Sequence, residues 1–152
     1  MGEHIFVYGT LLFDDIVRML TGRRLEAILA DLDNHARYLV VHDDEEPSYP
    51  AIVREPGSSV AGRVLLNVDE RSAALIDRYE NTPPEYERIT VAVQLADRTT
   101  MEAVTYRALP ILAGRLGGPW SQQKFAARWL PVYLNRRIPH LLEQIGAVNC
   151  DA

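Results

Sequence analysis

The sequence predicts an α+β fold in which helices pack outside a small, mostly antiparallel β-sheet or barrel. Roughly seven short segments have strand patterns, three or four have helical patterns, and the two kinds do not alternate regularly along the chain. Regular alternation would instead indicate a doubly wound parallel sheet. The chain has 152 residues, of which 47% are hydrophobic. This is enough for one domain with a sizeable core, so residues 1–152 are interpreted as a single domain.

The strand predictions rest on apolar runs and on two-residue alternation. Residues 5–8 form an apolar run that stops at Gly9-Thr10, and residues 89–95 alternate apolar with polar side chains. EPGSS at 55–59 predicts a turn between two strands, and ADRTT at 96–100 predicts a hairpin. The predicted strands are 5–8, 25–32, 36–41, 51–54, 60–68, 89–95 and 101–107. The acidic stretch HDDEEPSYP at 42–50 and the Gly/Pro-rich stretch at 110–119 are predicted to be loops.

Two helices are predicted in the first half of the chain. Asp14 or Asp15 is expected to cap a short helix that ends near Gly22. Asp69 is expected to cap a second helix over ERSAALIDRYE, where Leu75, Ile76 and Tyr79 have helical spacing.

Further helices are predicted near the C-terminus. Ser121 is expected to cap one of them, and the flanking Trp120 and Phe125 have the spacing of a hydrophobic staple. Pro131 is expected to kink or end this helix. A last short helix is predicted over 140–145.

Composition excludes several classes of function. The net charge of −5 argues against nucleic-acid binding. No apolar run is long enough to span a membrane, the N-terminal residues lack a signal-peptide pattern, and Cys150 is the single cysteine, so we expect a cytoplasmic protein. His42 precedes four acidic residues, but a solvated loop explains this cluster better than a metal site does. We expect neither a metal nor a cofactor.

The search for catalytic motifs leads to one carboxylate. The sequence contains no GxxxxGK[ST], no GxGxxG after a strand and no GxSxG. Glu80 ends the helix that Asp69 caps, where the helix dipole disfavours a negative charge. Tyr79 and the following prolines are expected to desolvate it and raise its pKa further, as a general base near neutral pH requires. An exposed helix-end glutamate is the alternative, and the pattern alone favours it.

Two stretches, read together, resemble the γ-glutamylcyclotransferase-like family, in its AIG2-like branch. They are YGTL at 8–11 and DRYE at 77–80 followed by Tyr86 and Arg88. Further segments lie along the chain in the family's order, namely LTGRR, SYPAIV, VAGRVLLNV and the Trp120–Phe125 segment. The resemblance therefore runs over most of the chain.

The resemblance implies a compact mixed β-barrel with flanking helices, and it implies roles for particular residues. The turn formed by Tyr8, Gly9, Thr10 and Leu11 is expected to bind a carboxylate or acyl group of the substrate through backbone N–H groups. Gly9 suits this role because it has no Cβ to keep a ligand away from the backbone. Glu80 corresponds to the family's catalytic glutamate.

The strand that follows Glu80 contributes two further candidates. Alternation places Tyr86 and Arg88 on one face of that strand, where the resemblance implies that they line or brace the cavity. A purely structural role for Arg88, hydrogen-bonded to loop carbonyls, is an equal alternative.

The activity implied is a cyclotransferase, of the transferase or lyase type, that releases 5-oxoproline from a γ-glutamyl amine or amino acid. The substrate's α-amino group attacks its own γ-carbonyl, with Glu80 as general base and then acid. A non-catalytic module that binds a small metabolite in the same cavity is the alternative. The leaving amine and the oligomeric state stay open. The charge of the 42–50 loop is expected to disfavour acidic leaving groups.

A role in oligomerisation is a third interpretation, for the segment that begins at Ser121. It rests on the helical spacing of Phe125, Trp129 and Tyr133. Packing of these residues against the protein's own barrel explains the spacing more simply.

Overall fold

Five strands close into one barrel in the computed structural model, which describes residues 2–80 and 85–150, the last four as backbone alone. They are β1 (Glu3–Val7), β2 (Ala27–Leu39), β3 (Pro50–Val68), β4 (Tyr86–Leu95) and β5 (Thr100–Ala108). Their order around the barrel is β1-β3-β2-β4-β5. Neighbouring strands are antiparallel except β1 and β5, whose parallel pairing of Ile5 with Val104 closes the barrel. The predicted mixed, mostly antiparallel barrel is confirmed.

The prediction of seven short strands is wrong, because two pairs of predicted strands are continuous. β2 and β3 pair along most of their lengths, with a register shift between Asp33 and His35. Around this shift, residues 55–58 of β3 lie opposite the single residue Asn34 of β2. Asn34 has φ 60° and Gly57 has φ 88°, and the Gly57 N–H donates to Asn34 Oδ1 at 3.2 Å. The predicted EPGSS turn is therefore a bulge, which bends the strand pair without ending it.

Short helices connect and cover the strands. A 3₁₀ turn (Thr10–Leu12) follows β1, and a π-helical turn (Tyr133–Arg137) precedes the last helix. The α-helices are α1 (Asp14–Thr21), α2 (Glu70–Tyr79), α3 (Pro110–Ala113), α4 (Gln122–Arg128), α5 (Leu130–Val132) and α6 (Ile138–Cys150). The predicted loop 110–119 thus contains a helical turn, and the last helix is longer than predicted. None of the helices in the described part of the chain has the length and apolar character needed to span a membrane.

The helix caps agree with the sequence at two of the three predicted positions. The side chain of Asp69 accepts from the Ser72 N–H, and that of Ser121 accepts from the Lys124 N–H, each at 3.2 Å. In α1 the capping position belongs to Phe13, which makes no side-chain cap bond. Asp14 and Asp15 lie inside the first turn, where their charges favour the helix dipole instead.

The segment after Ser121 packs on the rest of the molecule. The Trp120 and Phe125 rings lie 5.9 Å apart, as the staple predicts, and the Tyr133 ring lies 4.8 Å from that of Phe125. Trp120 Nε1 donates to the Ser48 carbonyl at 2.9 Å. Phe125 and Tyr133 are buried, and Trp129 packs against the same cluster. Intramolecular packing therefore accounts for the aromatic spacing.

Alternate residues of β1 enter two different apolar clusters. Phe6 joins a cluster whose buried members come from the strands and Tyr8, whereas Ile5 and Val7 join a second cluster that includes residues of the helices. This follows from the two-residue period of a strand, which sends successive side chains to opposite faces. The turn that follows Val7 therefore begins between the cluster formed by the strands and the cluster that includes residues of the helices.

Candidate active site

A cavity of about 300 Å³ opens where β1, α2, β4 and the C-terminal helices meet. Six of the seven residues that the sequence singled out line it, namely Tyr8, Gly9, Thr10, Leu11, Glu80 and Tyr86. They come from three separate parts of the chain. Arg88, the seventh, is not among the described residues that line the cavity.

The turn after β1 lines this cavity and contains backbone N–H groups without a protein partner among the described residues. The 3₁₀ turn begins at Thr10, and no described residue accepts a hydrogen bond from the N–H of Gly9, Thr10 or Leu11. The first N–H groups of any helical turn lack intrahelical partners and suit an anionic group. This backbone is therefore chemically able to bind a carboxylate or a carbonyl oxygen.

Packing gives a second reason for glycine at position 9, besides the predicted approach of a ligand. A Cβ on Gly9 would lie 2.7 Å from Cγ and 2.9 Å from Cδ of Pro50, the first residue of β3. Such contacts are closer than real Cβ atoms tolerate. Glycine is thus required by the packing of the turn against the Pro50 ring, before any ligand is considered.

Glu80 lies at the C-terminal cap of α2 and is partly buried. Its backbone N–H donates to the Ile76 carbonyl at 2.9 Å, so the helix fixes its position. None of the described residues donates a hydrogen bond to its carboxylate. Pro83 and Pro84, which were expected to contribute to its desolvation, lie outside the described residues, as do Asn81 and Thr82.

The pKa of Glu80 is raised from 4.5 to about 8. Burial is the largest cause, followed by repulsion from the carboxylates of Glu85 and Asp77. The direction agrees with the sequence prediction, but the neighbouring carboxylates were not foreseen. At neutral pH the group is mostly protonated, and it ionises at a pH only slightly higher.

Tyrosines form much of the remaining wall. They are Tyr8, Tyr49, Tyr79, Tyr86, Tyr106 and Tyr133. Burial raises the pKa of each, so all six are neutral hydroxyl groups at physiological pH. The Tyr8 hydroxyl donates to the Tyr106 carbonyl at 2.6 Å, and the Tyr86 hydroxyl donates to the Pro50 carbonyl at 2.9 Å. These bonds fix the Tyr8 and Tyr86 rings in the wall.

Arg88 braces the wall from behind. Its guanidinium pairs with Glu3 and donates from Nε to Asp77 Oδ1 at 3.3 Å. The same Asp77 oxygen accepts from the Tyr106 hydroxyl at 2.5 Å. The partners of Arg88 are therefore carboxylates, where the structural alternative expected loop carbonyls, and the network holds Tyr106 in the cavity wall.

The sequence alone missed several lining residues. Tyr49 and Glu85 come from loops beside the strands, and the Tyr49 hydroxyl donates to Glu85 Oε2 at 3.1 Å. Tyr133, Arg137 and His140 come from the C-terminal helices. The spacing of these last three by four and three residues is a helical stripe of polar and aromatic side chains, a signal visible in the sequence.

The search for a metal site is negative among the described residues, which hold no group of three or more His, Cys, Asp or Glu side chains suited to a metal ion. His42 instead contacts two side chains of its own loop. Its Nε2 lies 2.6 Å from the Tyr49 hydroxyl and 3.7 Å from Glu45. The histidine therefore contacts Tyr49, the residue of its own loop that lines the cavity.

Comparison with known proteins gives consistent matches. A family model described as "Gamma-glutamyl cyclotransferase, AIG2-like" matches residues 5–122. The chain is 34% identical over 93 residues to AIG2-like protein D of Arabidopsis thaliana, an alignment that covers 61% of this chain and only 57% of that protein.

Solved structures agree at the level of the fold. A solution structure of an Arabidopsis thaliana protein superposes with a TM-score of 0.66 at 25% identity, covering 88% of this chain and 86% of the other. A structure named gamma-glutamyl cyclotransferase superposes with a TM-score of 0.63 at 15% identity, covering 72% and 68%. The second likeness concerns the fold alone.

Proposed function

The chain belongs to the gamma-glutamyl cyclotransferase, AIG2-like family, and from this premise we propose that it releases 5-oxoproline from a γ-glutamyl amine or γ-glutamyl amino acid. The observation that carries the proposal is the state of Glu80. Its carboxyl group has a pKa of about 8, lines a cavity, and has no hydrogen-bond donor among the described residues. A carboxyl group kept in this state suits proton transfer better than structural pairing.

Different residues of the cavity would bind the two ends of a glutamyl group. The N–H groups of Gly9, Thr10 and Leu11 would bind its carboxylate or steady the oxyanion that develops on its γ-carbonyl. Glu80 would receive its α-amino group. Because the cavity of about 300 Å³ is near the lower limit for small-molecule sites, a compact substrate fits best.

The reaction needs one proton carrier. The α-amino nitrogen attacks the γ-carbonyl carbon, a five-membered lactam forms, and the bond from that carbon to the leaving nitrogen breaks. Glu80 accepts a proton from the attacking amine and delivers it to the leaving nitrogen. An α-ammonium group has a pKa near 8. Since the pKa of Glu80 is also about 8, the proton moves between them at little cost in free energy.

The test is 5-oxoproline release from a panel of γ-glutamyl compounds by wild type, Glu80→Gln and Glu87→Gln. Glu87 is the matched control, because it is a carboxylate of the same barrel that does not line the cavity. It forms an ion pair with Arg107 at a distance of 2.8 Å. We expect Glu80→Gln to lower turnover by about 10²–10⁴-fold, the usual contribution of a general base. Glu87→Gln should match wild type.

Two results would count against the proposal. Full turnover by a folded Glu80→Gln protein would remove Glu80 from the mechanism. Calorimetric binding of the same compounds without any release would leave the protein a binding module.

A further inference from the structure

The C-terminal helical segment supplies one edge of the cavity, and this edge contains an arginine. Arg137 lies at the end of the π-helical turn, and His140 and Gln144 follow in α6; all three line the cavity. These residues lie beyond the part of the chain that the family model matches, which ends at residue 122. Single π-turns within helices often occur at functional sites. The match to the family model therefore carries no information about this edge.

Hydrogen bonds hold Arg137 in place, but they use only some of its N–H donors. Its Nη1 donates to the Tyr133 hydroxyl at 2.5 Å and to Ser48 Oγ at 3.4 Å, and its guanidinium lies 4.8 Å from the Tyr133 ring centre. Its Nε and Nη2 make no hydrogen bond to any described residue, although Nη2 lies 3.8 Å from Glu45 Oε2 in an ion pair. A guanidinium has five N–H donors in a fork that matches a carboxylate. Arg137 thus retains donors for an anionic partner.

The lining is asymmetric in charge. Arg137 is the single arginine or lysine among the described residues that line the cavity, and it belongs to a different wall from Glu80. If the N–H groups of the Gly9–Leu11 turn bind the glutamyl carboxylate, as the proposed function allows, that carboxylate does not need Arg137. A cation on the α6 side is then available to the other half of the substrate.

We propose that Arg137 binds a carboxylate on the leaving half, so that the protein prefers γ-glutamyl amino acids to γ-glutamyl amines. This inference rests on the proposed function, and it names the substrate class of the same cavity. It also opposes the expectation drawn from the acidic loop at 42–50. Glu45 of that loop lies 3.8 Å from Arg137 Nη2 but does not line the cavity, so its carboxylate competes with a bound substrate for the same guanidinium.

The experiment compares γ-glutamyl-L-alanine with γ-glutamyl-ethylamide, which differ only in the carboxylate of the leaving half. For wild type we expect kcat/KM to be about tenfold higher for the alanine compound, the low end of the range for hydrogen bonds to charged groups, because Arg137 is partly exposed. Arg137→Gln should lower kcat/KM for the alanine compound alone, and Arg137→Lys should restore part of the preference. Arg128→Gln is the control: Arg128 pairs with Glu46 of the same loop at 2.9 Å but does not line the cavity.

A second variant tests the inference from the opposite direction and does not depend on the folding of an Arg137 variant. Glu45→Gln removes the competing carboxylate, so it should increase the preference for γ-glutamyl-L-alanine. An unchanged or smaller preference would contradict the inference.

The results separate this inference from the proposed function. Release of 5-oxoproline from both compounds at equal kcat/KM, or an equal loss for both in Arg137→Gln, would overturn the inference alone. Release from neither compound would overturn the proposed function, and calorimetry with the same pair would then decide the inference. Tighter binding of the alanine compound that disappears in Arg137→Gln supports it, whereas equal binding or none overturns it.

Discussion

The hydroxyl groups of Thr10 and Tyr79 lie 2.6 Å apart and join the turn after β1 to the last residue of α2. Thr10 follows Gly9 in the turn, and Tyr79 precedes Glu80. One hydrogen bond therefore connects the two chain segments that the proposed reaction requires, although 69 positions separate them in sequence.

Removal of this bond should destabilise the protein. Thr10→Val leaves the Tyr79 hydroxyl without its partner, and we expect the free energy of unfolding to fall by about 1 kcal/mol. The double variant Thr10→Val/Tyr79→Phe removes both hydroxyl groups, so it should cost less than the sum of the single variants. Urea denaturation of all four proteins measures this coupling. Strict additivity would mean that the two hydroxyl groups do not interact.

Glu80 should titrate near pH 8 in the ligand-free protein. We expect carboxyl-carbon NMR of protein labelled in glutamate to show one resonance with a pKa of about 8, identified by its loss in Glu80→Gln. If the ionised form is the base, kcat/KM should rise with pH up to about 8. A Glu80 resonance that titrates near 4.5 would show that the cavity does not desolvate the group.

The neighbouring carboxylates give this titration an internal control. Because Glu85 raises the pKa of Glu80 more than Asp77 does, Glu85→Gln should lower it more than Asp77→Asn. Both variants should leave most of the upward shift in place, since burial is its largest cause. The reverse order, or a fall to the ordinary value in either variant, would contradict this account of the electrostatics.

The raised pKa should also make stability depend on pH. The pKa of Glu80 is higher in the folded protein than its ordinary value of 4.5, so the folded state holds more protons between pH 4.5 and about 8. Stability therefore falls as pH rises through this range. Because Glu80 keeps some contact with solvent, we expect its contribution to be roughly 1–3 kcal/mol, less than the full shift would give.

Urea denaturation at pH 5 and pH 9 tests this dependence. Glu80→Gln should lose less stability than wild type between the two pH values, and Glu87→Gln should behave as wild type. An identical loss in Glu80→Gln and wild type would argue that the Glu80 carboxylate is not desolvated on folding.

Gly9→Ala should destabilise the protein through its contact with Pro50. The new methyl group would overlap the Pro50 ring, and overpacking of this kind costs about 1–3 kcal/mol. Replacement of the ring in Gly9→Ala/Pro50→Ala should recover part of this loss relative to Pro50→Ala alone. Gly146→Ala is the control, because a Cβ there meets nothing within 4 Å and alanine favours the helix. Equal stability of Gly9→Ala and wild type would contradict the packing argument.

Local features of the sequence determined much of the structure. The caps at Asp69 and Ser121 and the Trp120–Phe125 contact depend on residues within a few positions of one another, and the sequence predicted all of them. The end of the first strand at the Gly9 turn and the helix that ends beside Glu80 were also predictable for this reason. Such features need no knowledge of the rest of the chain.

Tertiary structure decided what depends on distant residues. The EPGSS stretch remains within β3 because Asn34 of β2 accepts from the Gly57 N–H across the strand pair, a contact that no local pattern contains. Glycine is needed at position 9 because Pro50 packs against it, and the pKa of Glu80 reflects burial in a cavity whose lining comes from distant parts of the chain. Arg137 reaches the cavity because the π-helical turn and α6 lie against it. Each of these outcomes depends on contacts between chain segments that are far apart in sequence. A local sequence pattern does not encode such contacts.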